Sequence, residues 1–160
     1  MLFRSGDPEL FKYPVAYLCE PGFAFDMTDD NVANLRDYLN KGGFVIVDDF
    51  RWQDWSYFET QILRVLPKAQ FKDLDITNPI FHSFFEIKTL DIPQYYDPPP
   101  AQFRAIYEDN DPSKRIMVMI NYNTDISQYW EWSGRGFRPF DETNEAYKLG
   151  VNYLIYGLTH

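Results

Sequence analysis

The chain has 160 residues, with 24 acidic and 15 basic side chains, and so carries a formal charge of −9 at pH 7. This length fits one domain, residues 1–160, with one sizeable core. The negative charge argues against nucleic acid and anionic lipid as partners, because both would be repelled. One cysteine and two histidines exclude an internal disulfide, a cysteine-rich zinc site and a multi-histidine metal centre.

The sequence contains no apolar run close to the roughly 20 residues that a membrane-spanning helix needs. Its first residues also lack the apolar core of a signal peptide. As written, the sequence therefore predicts a soluble, cytoplasmic protein without membrane insertion. The aromatic fraction of 19% is high for such a domain and needs an explanation.

The first half of the chain predicts alternating strands and helices. A short apolar strand is expected over 15–18, followed by a helix that begins after Thr28 and ends at Gly42. The continuous apolar run 44–47 is typical of a buried parallel strand, and a helical period follows over 52–66. This alternation favours an α/β fold with a mostly parallel sheet.

The second half of the chain is less regular. Residues 71–76 favour a short strand, whereas the proline-rich segment 92–100 is expected to be irregular. Two strands are expected over 103–108 and 115–121, joined by a hairpin-like turn over 109–113. The last helix, 143–158, is apolar on nearly all sides in its second half, which predicts burial against the sheet.

Polar residues follow several of the expected strands. Ligands of open parallel sheets bind beyond the carboxyl ends of the strands, where Asp48, Asp49 and the segment 121–125 are expected. Two adjacent acids at that place can bind a metal or act as acid and base. Alternatively, Asp48 caps the next element and Asp49 is solvated. The candidate ligand-binding residues are Asp48, Asp49, His82, Asn123, Asp125 and Trp130.

Three other features each have a structural and a functional interpretation. Cys19 is expected to be a buried structural thiol, because the nearby Pro21 and the lack of a small residue before it disfavour a nucleophile elbow. His82 is expected to be partly buried and hydrogen-bonded, with ligand contact as the alternative. The segment 121–132 combines amides, hydroxyls and aromatic rings, which suits sugar or peptide recognition or a second core.

Several short motifs, taken together, resemble a known family. They are LFKYP at 10–14, EPGF at 20–23, NLRDYL at 34–39, GGF at 42–44, VDDF at 47–50, PIFH at 79–82, NTD at 123–125, WE at 130–131 and LGVNY at 149–153. The combination resembles the bacterial domain of unknown function family 4159 and covers almost the whole chain.

That family is similar to the class I glutamine amidotransferase-like superfamily, including ThuA-like domains. The resemblance implies a flavodoxin-like, three-layer α/β/α fold with a mostly parallel central sheet. In catalytic relatives, the nucleophilic cysteine follows the strand after the Gly-Gly turn. Asp48 and Asp49 hold that place here, and Cys19 lies one strand earlier. The resemblance therefore implies the usual cleft without the usual triad, no cofactor, and a domain that is not expected to be an enzyme.

Members of the family usually carry a further strand and helix before the position of Leu10, and often an export signal. The chain therefore looks shortened at its N-terminus. The resemblance implies that a sheet edge is left uncovered, and an open edge invites pairing with another chain. We expect a homodimer through that edge.

Three functions remain open at this point. The preferred one is a non-catalytic domain that binds a small polar ligand, such as a saccharide, or a protein partner at the strand-end cleft. The second is a hydrolase that uses Asp48 or Asp49 as a base, with help from His82 or a divalent metal. The third is a structural partner module of a bacterial envelope-related assembly, which predicts a large exposed aromatic patch.

Overall fold

A computed structural model describes residues 7–92 and 99–160, and these form an open five-stranded sheet with helices. The strands are Val15–Cys19 (β1), Phe44–Phe50 (β2), Lys72–Asp73 (β3), Gln102–Tyr107 (β4) and Ile116–Tyr122 (β5), in the spatial order β1-β2-β5-β4-β3. The helices are Pro21–Ala24 (α1), Asp29–Asn40 (α2), Asp54–Val65 (α3), Ile126–Glu131 (α4) and Phe140–Thr159 (α5). Most of the segment expected to be irregular, residues 93–98, lies outside the described residues.

The sheet is mixed in direction. Strands β1, β2 and β5 run parallel to one another, whereas β4 is antiparallel to β5 and β3 is antiparallel to β4. The expectation of a mostly parallel sheet is therefore wrong. The reason lies in the connection between β4 and β5, which is a short turn through Glu108–Asn110. A parallel pairing needs a crossover of about a dozen residues or more, so a connection of this length reverses the chain.

Hydrophobic clusters lie on both faces of the sheet. Along β2, Val45 and Val47 belong to the cluster that includes α2 and α3, whereas Phe44 and Ile46 belong to the cluster that includes α5. This division follows from the strand geometry, in which successive side chains point to opposite faces. A strand covered on both faces has apolar side chains at successive positions, which explains the continuous run over 44–47 that predicted β2.

Two local predictions about helices are confirmed. Thr28 caps α2, and its side chain accepts a hydrogen bond from the backbone N–H of Asn31. The last helix also forms, although α5 is longer than expected and begins at Phe140. Gly157 lets α5 approach the sheet closely, since a Cβ at this position would lie 2.6 Å from Cδ1 of Phe44. No helix of the described part of the chain has the length and apolar character to cross a membrane.

Candidate functional site

Three neighbouring parallel strands, β1, β2 and β5, end at the same edge of the sheet. Near each of these ends lies a non-glycine residue in the left-handed backbone region: Glu20 with φ 53°, Asp49 with φ 58° and Asn123 with φ 59°. Such residues cost roughly 1–3 kcal/mol each and persist only where the surrounding structure holds them, often at functional sites. This edge is therefore the first place to look for a site.

Asp48 lies at the centre of this edge and is fully buried, with 0% of its surface exposed. Its Oδ2 accepts a hydrogen bond from the hydroxyl of Tyr17 and another, of 3.0 Å, from the backbone N–H of Ser127. Its Oδ1 has no hydrogen-bond partner among the described residues. One carboxyl group thus connects β1, β2 and the start of α4.

The electrostatics of this group follow from its burial. Burial raises the pKa of Asp48 from its ordinary value of 3.8 to about 7, although the hydrogen bonds from Tyr17 and Ser127 oppose the rise. The pKa of Tyr17 is also raised far above its ordinary range, first by burial and then by the nearby charge of Asp48. Tyr17 therefore remains a protonated donor, while Asp48 changes its charge near neutral pH.

A second group of polar atoms lies beside Asp48. The Sγ of Cys19 is 3.8 Å from Oδ2 of Asp49 and 3.8 Å from the hydroxyl oxygen of Ser127. Ser127 donates its hydroxyl proton to Oδ1 of Asp125 at 2.8 Å. The carboxylate of Asp49 is in turn 2.5 Å from the guanidinium of Arg51. These contacts bring Asp49, Asp125, Cys19 and Ser127 into one neighbourhood at the ends of β1, β2 and β5.

The environment of Cys19 differs from the sequence-based expectation. The residue is exposed rather than buried, because β1 is an edge strand of the sheet. Partial burial of the thiol raises its pKa to about 12. The hydrogen bond with Ser127 opposes the rise, and the neighbouring carboxylates of Asp49, Asp48 and Asp125 add to it. A thiol with this pKa is protonated at neutral pH and is a weak nucleophile.

Asn123 and Trp130 border the same region. Asn123 joins two loops: its Oδ1 accepts a hydrogen bond of 3.4 Å from the N–H of Trp52, and its Nδ2 donates one of 3.4 Å to the carbonyl of Pro100. Trp130 donates from its indole N–H to the carbonyl of Ala146 at 3.0 Å. Its ring also lies 5.7 Å from the ring of Tyr17, so Trp130 supports the donor to Asp48.

His82 is held by groups that lie outside this neighbourhood. Its Nε2 is 2.5 Å from the carbonyl oxygen of Ile76. Its Nδ1 is 3.1 Å from Oε1 of Glu86 but forms no hydrogen bond with a described residue. The described contacts do not join it to Asp48, Asp49 or Asp125. The turn that carries His82 is fixed instead by its packing against α5.

Sequence reasoning missed two of the residues that hold Asp48, namely Tyr17 and Ser127. Tyr17 lies within an apolar strand. Its hydroxyl was the only feature of the sequence to indicate that β1 contributes a polar group to the site. The register of β1 on β2 is what brings that hydroxyl within reach of Asp48.

Within residues 7–92 and 99–160, no group of three or more His, Cys, Asp and Glu side chains is arranged to hold a metal ion.

The arrangement is suited to hydrogen bonding with a polar molecule. Carboxylate oxygens of Asp49 and Asp125 accept hydrogen bonds, and the buried carboxyl of Asp48 can accept or, when protonated, donate one.

No curated protein matches the chain. A family model described as a domain of unknown function matches residues 2–158. The chain therefore belongs to the domain-of-unknown-function family DUF4159.

Proposed function

We propose that this chain is a non-catalytic domain that binds a small polar ligand at the carboxyl ends of β1, β2 and β5. In this proposal it is an amidotransferase-like domain of the bacterial ThuA-like type, with a flavodoxin-like, three-layer fold. The observation that carries the proposal is the buried carboxyl of Asp48, whose Oδ1 has no partner among the described residues. An unsatisfied buried polar atom costs about 1–3 kcal/mol. A ligand or an ordered water that reaches this atom would remove that cost.

The side chains around Asp48 favour an uncharged ligand with several hydroxyl groups, such as a saccharide. Asp49 and Asp125 supply acceptors for hydroxyl donors, and carboxylates repel anionic ligands. The ring of Tyr17, which is 39% exposed, offers an aromatic surface at the same edge. Aromatic faces next to polar groups are common where proteins bind molecules with both apolar and polar surfaces.

The hydrolase alternative has less support from the contacts. The described contacts of His82 are with Ile76 and Glu86 and not with Asp48, Asp49 or Asp125, so they give these carboxylates no imidazole partner. The raised pKa of Cys19, about 12, also disfavours a thiolate nucleophile. We therefore give priority to binding over catalysis.

A thermal-shift experiment tests the proposal with a panel of neutral mono- and disaccharides, amino acids, nucleotides and divalent cations. A compound at 100 times its Kd stabilises the folded state by about 2.7 kcal/mol, which corresponds to roughly 5–10 °C for a domain of this size. We expect a saccharide to give such a shift, and Asp49→Asn and Asp125→Asn to abolish it.

The matched control is Asp91→Asn, which removes the charge of an exposed aspartate outside the candidate site and should preserve the shift. A panel in which no compound stabilises the protein would contradict the proposal. A shift that persists in both Asp49→Asn and Asp125→Asn would show that the ligand binds elsewhere.

A further inference from the structure

The two oxygens of the Asp48 carboxyl group have different partners. Oδ2 accepts hydrogen bonds from the hydroxyl of Tyr17 and from the backbone N–H of Ser127, whereas Oδ1 has no partner among the described residues. A backbone N–H can only donate, so a proton on Oδ2 would face the N–H of Ser127. The proton of a neutral Asp48 carboxyl therefore lies on Oδ1, where no described residue accepts it.

The groups around Asp48, on several elements, favour its neutral form. Burial raises the pKa of this carboxyl most, and the carboxylate of Asp125, at the start of α4, raises it further, against the lowering by its hydrogen bonds. Asp49, the next residue of β2, adds another carboxylate, which pairs with the guanidinium of Arg51. Burial also raises the pKa of three hydroxyl or thiol groups near Asp48, which are therefore uncharged at neutral pH: Tyr17 and Cys19 on β1 and Tyr153 on α5.

A ligand that covers this edge of the sheet strengthens the repulsion among the three carboxyl groups. Water screens charges at an open site, and their interaction grows when a ligand excludes the water. Asp48 is the most deeply buried of the three, with 0% of its surface exposed against 7% for Asp125. Its charged form is therefore the most costly to desolvate. Binding of a ligand favours the form of the site in which Asp48 is protonated.

We propose that the ligand is an uncharged saccharide with an acetamido group, and that protonated Asp48 donates a hydrogen bond from Oδ1 to the carbonyl oxygen of that group. This inference rests on the proposed function, because it assigns a partner to the atom from which that proposal starts. The hydroxyl groups of the same ligand donate to Asp49 and Asp125, whose carboxylates can only accept. A carboxylate on the ligand would also accept the proton of Asp48, but Asp49 and Asp125 would repel its charge.

The acetamido carbonyl makes the affinity depend on pH, because it offers only lone pairs to Oδ1 and so needs the protonated carboxyl. A ligand hydroxyl can donate or accept, and would therefore meet the charged and the neutral carboxyl alike. With a pKa of about 7, Asp48 is protonated in about 90% of the molecules at pH 6 and in about 10% at pH 8. The apparent Kd is the intrinsic Kd divided by the fraction in the binding form. We therefore expect the Kd to rise by about 10-fold from pH 6 to pH 8, with the uptake of about 0.9 proton per bound ligand at pH 8.

Isothermal titration calorimetry of the full chain tests this inference with three matched pairs of probes. The pairs are N-acetylglucosamine, N-acetylgalactosamine and N-acetylmannosamine, each with its parent hexose, so that only the acetamido group differs within a pair. We expect an acetamido sugar to bind at pH 6 and its parent hexose to bind at least about 10-fold more weakly, because the hexose lacks the carbonyl acceptor. Titrations in buffers of different ionisation enthalpy measure the proton uptake.

Asp48→Asn reproduces the protonated form of the side chain at every pH. Its carbonyl oxygen takes the position of Oδ2, because Tyr17 and Ser127 both donate there. Its NH₂ group then takes the position of Oδ1 and donates as the proton of Asp48 does. At pH 8 we expect Asp48→Asn to bind the acetamido sugar about 10-fold more tightly than the unmodified chain, with equal affinity at pH 6 and pH 8. The matched control is Asp91→Asn, at an exposed position, which should keep the pH dependence.

Infrared difference spectroscopy of the free protein tests the charge state of Asp48 without a ligand. A protonated carboxyl group has a carbonyl stretching band that disappears when the group ionises. We expect the difference spectrum between the unmodified chain and Asp48→Asn to contain this band at pH 6 and to lose it by pH 8. A spectrum without the band at pH 6 would overturn the inference, because Asp48 would then be charged where we expect the ligand to bind best.

The outcomes separate this inference from the proposed function. Consider a saccharide that binds through Asp49 and Asp125 but has the same Kd at pH 6 and pH 8, or is bound more weakly by Asp48→Asn. Such a result would overturn the inference and leave the binding site in place, as would equal affinity for an acetamido sugar and its parent hexose. A pH dependence that persists in Asp48→Asn would belong to another group and would also overturn the inference. If no saccharide binds at all, both the inference and the proposed function are wrong.

Discussion

The hydroxyl of Tyr17 donates a hydrogen bond to Oδ2 of Asp48 and thereby connects the edge strand β1 to the buried end of β2. The two residues are 31 positions apart in the sequence. The bond lowers the pKa of Asp48 against the larger effect of burial, which raises it. The charge state of the candidate site therefore depends on a side chain of the edge strand.

We expect Tyr17→Phe to destabilise the protein by about 1–2 kcal/mol at pH 8, because a buried carboxylate then loses a donor. The loss should be smaller at pH 5, where Asp48 is protonated and needs the donor less. Urea unfolding at both pH values measures the difference. Tyr57→Phe, on α3, is the control for removing a hydroxyl from a partly buried ring. Equal losses at pH 5 and pH 8 would show that the bond has no role in the charge of Asp48.

A second prediction concerns the pH dependence of stability. Asp48 has a native pKa of about 7 and an ordinary value of 3.8, so between these values the folded state binds more protons than the unfolded state. Its contribution to stability therefore falls as the pH rises through this window, by roughly 4 kcal/mol in total at most. Asp48→Asn removes this dependence, because an amide does not ionise.

We expect Asp48→Asn to be more stable than the unmodified chain at pH 8 and to lose that advantage at pH 4. The asparagine carbonyl can still accept the hydrogen bonds from Tyr17 and Ser127. Urea unfolding between pH 4 and pH 8 measures both curves, with the exposed Asp91→Asn as control. Parallel curves for Asp48→Asn and the unmodified chain would mean that Asp48 is charged throughout this range.

Local signals explain what could be predicted from the sequence. The cap at Thr28 and the apolar run of β2 each depend on residues close together in the chain, and both predictions are confirmed. The hairpin-like turn predicted over 109–113 is confirmed, since β4 and β5 pair antiparallel on either side of it. The expectation for the whole sheet was wrong because it followed the resemblance to a parallel fold. The short helices α1 and α4 were missed, since four and six residues give too few positions for a helical period.

The candidate site was predictable only in part for a related reason. Strand ends indicated that Asp48, Asp49 and Asp125 would come near one another, and the structure places them so. The burial of Asp48 and its bond to Tyr17 depend on the register between β1 and β2, which no local pattern specifies. The position of His82 depends on the path of a loop that a distant residue, Asn152, fixes to α5.

Asn152 gives a third prediction. It is fully buried, and its Nδ2 donates to the carbonyls of Phe81 and Phe85 at 2.7 and 2.9 Å. Its Oδ1 accepts from the N–H groups of Phe84 and Phe85 at 3.1 and 2.7 Å. The amide thus uses both donors and both acceptor positions to hold the 81–85 segment against α5.

We expect Asn152→Ala to lower the free energy of unfolding by about 3 kcal/mol, because the buried carbonyl of Phe81 and the partly buried backbone groups of Phe84 and Phe85 lose their partners. Asn152→Asp keeps the shape of the side chain but replaces the donating amide with a carboxylate that faces two carbonyls. We expect it to be at least as destabilising as Asn152→Ala at pH 7. Urea unfolding measures both variants, and hydrogen exchange of the Phe84 and Phe85 amides reports the local effect. Asn40→Asp, at the exposed end of α2, is the control. An Asn152→Asp variant as stable as the unmodified chain would contradict this account.

The last prediction concerns the close contact of α5 with the sheet. Alanine favours a helix over glycine by about 1 kcal/mol, so propensity alone predicts that Gly157→Ala stabilises the protein. The structure predicts the opposite, since the added Cβ would lie 2.6 Å from Cδ1 of Phe44 and 2.9 Å from Cγ2 of Val15. Overpacking of this kind costs about 1–3 kcal/mol. We therefore expect a net loss in urea unfolding, with Leu158→Ala, an exposed neighbour on the same helix, close to neutral. A stabilised Gly157→Ala would mean that α5 can shift away from β1 and β2 without cost.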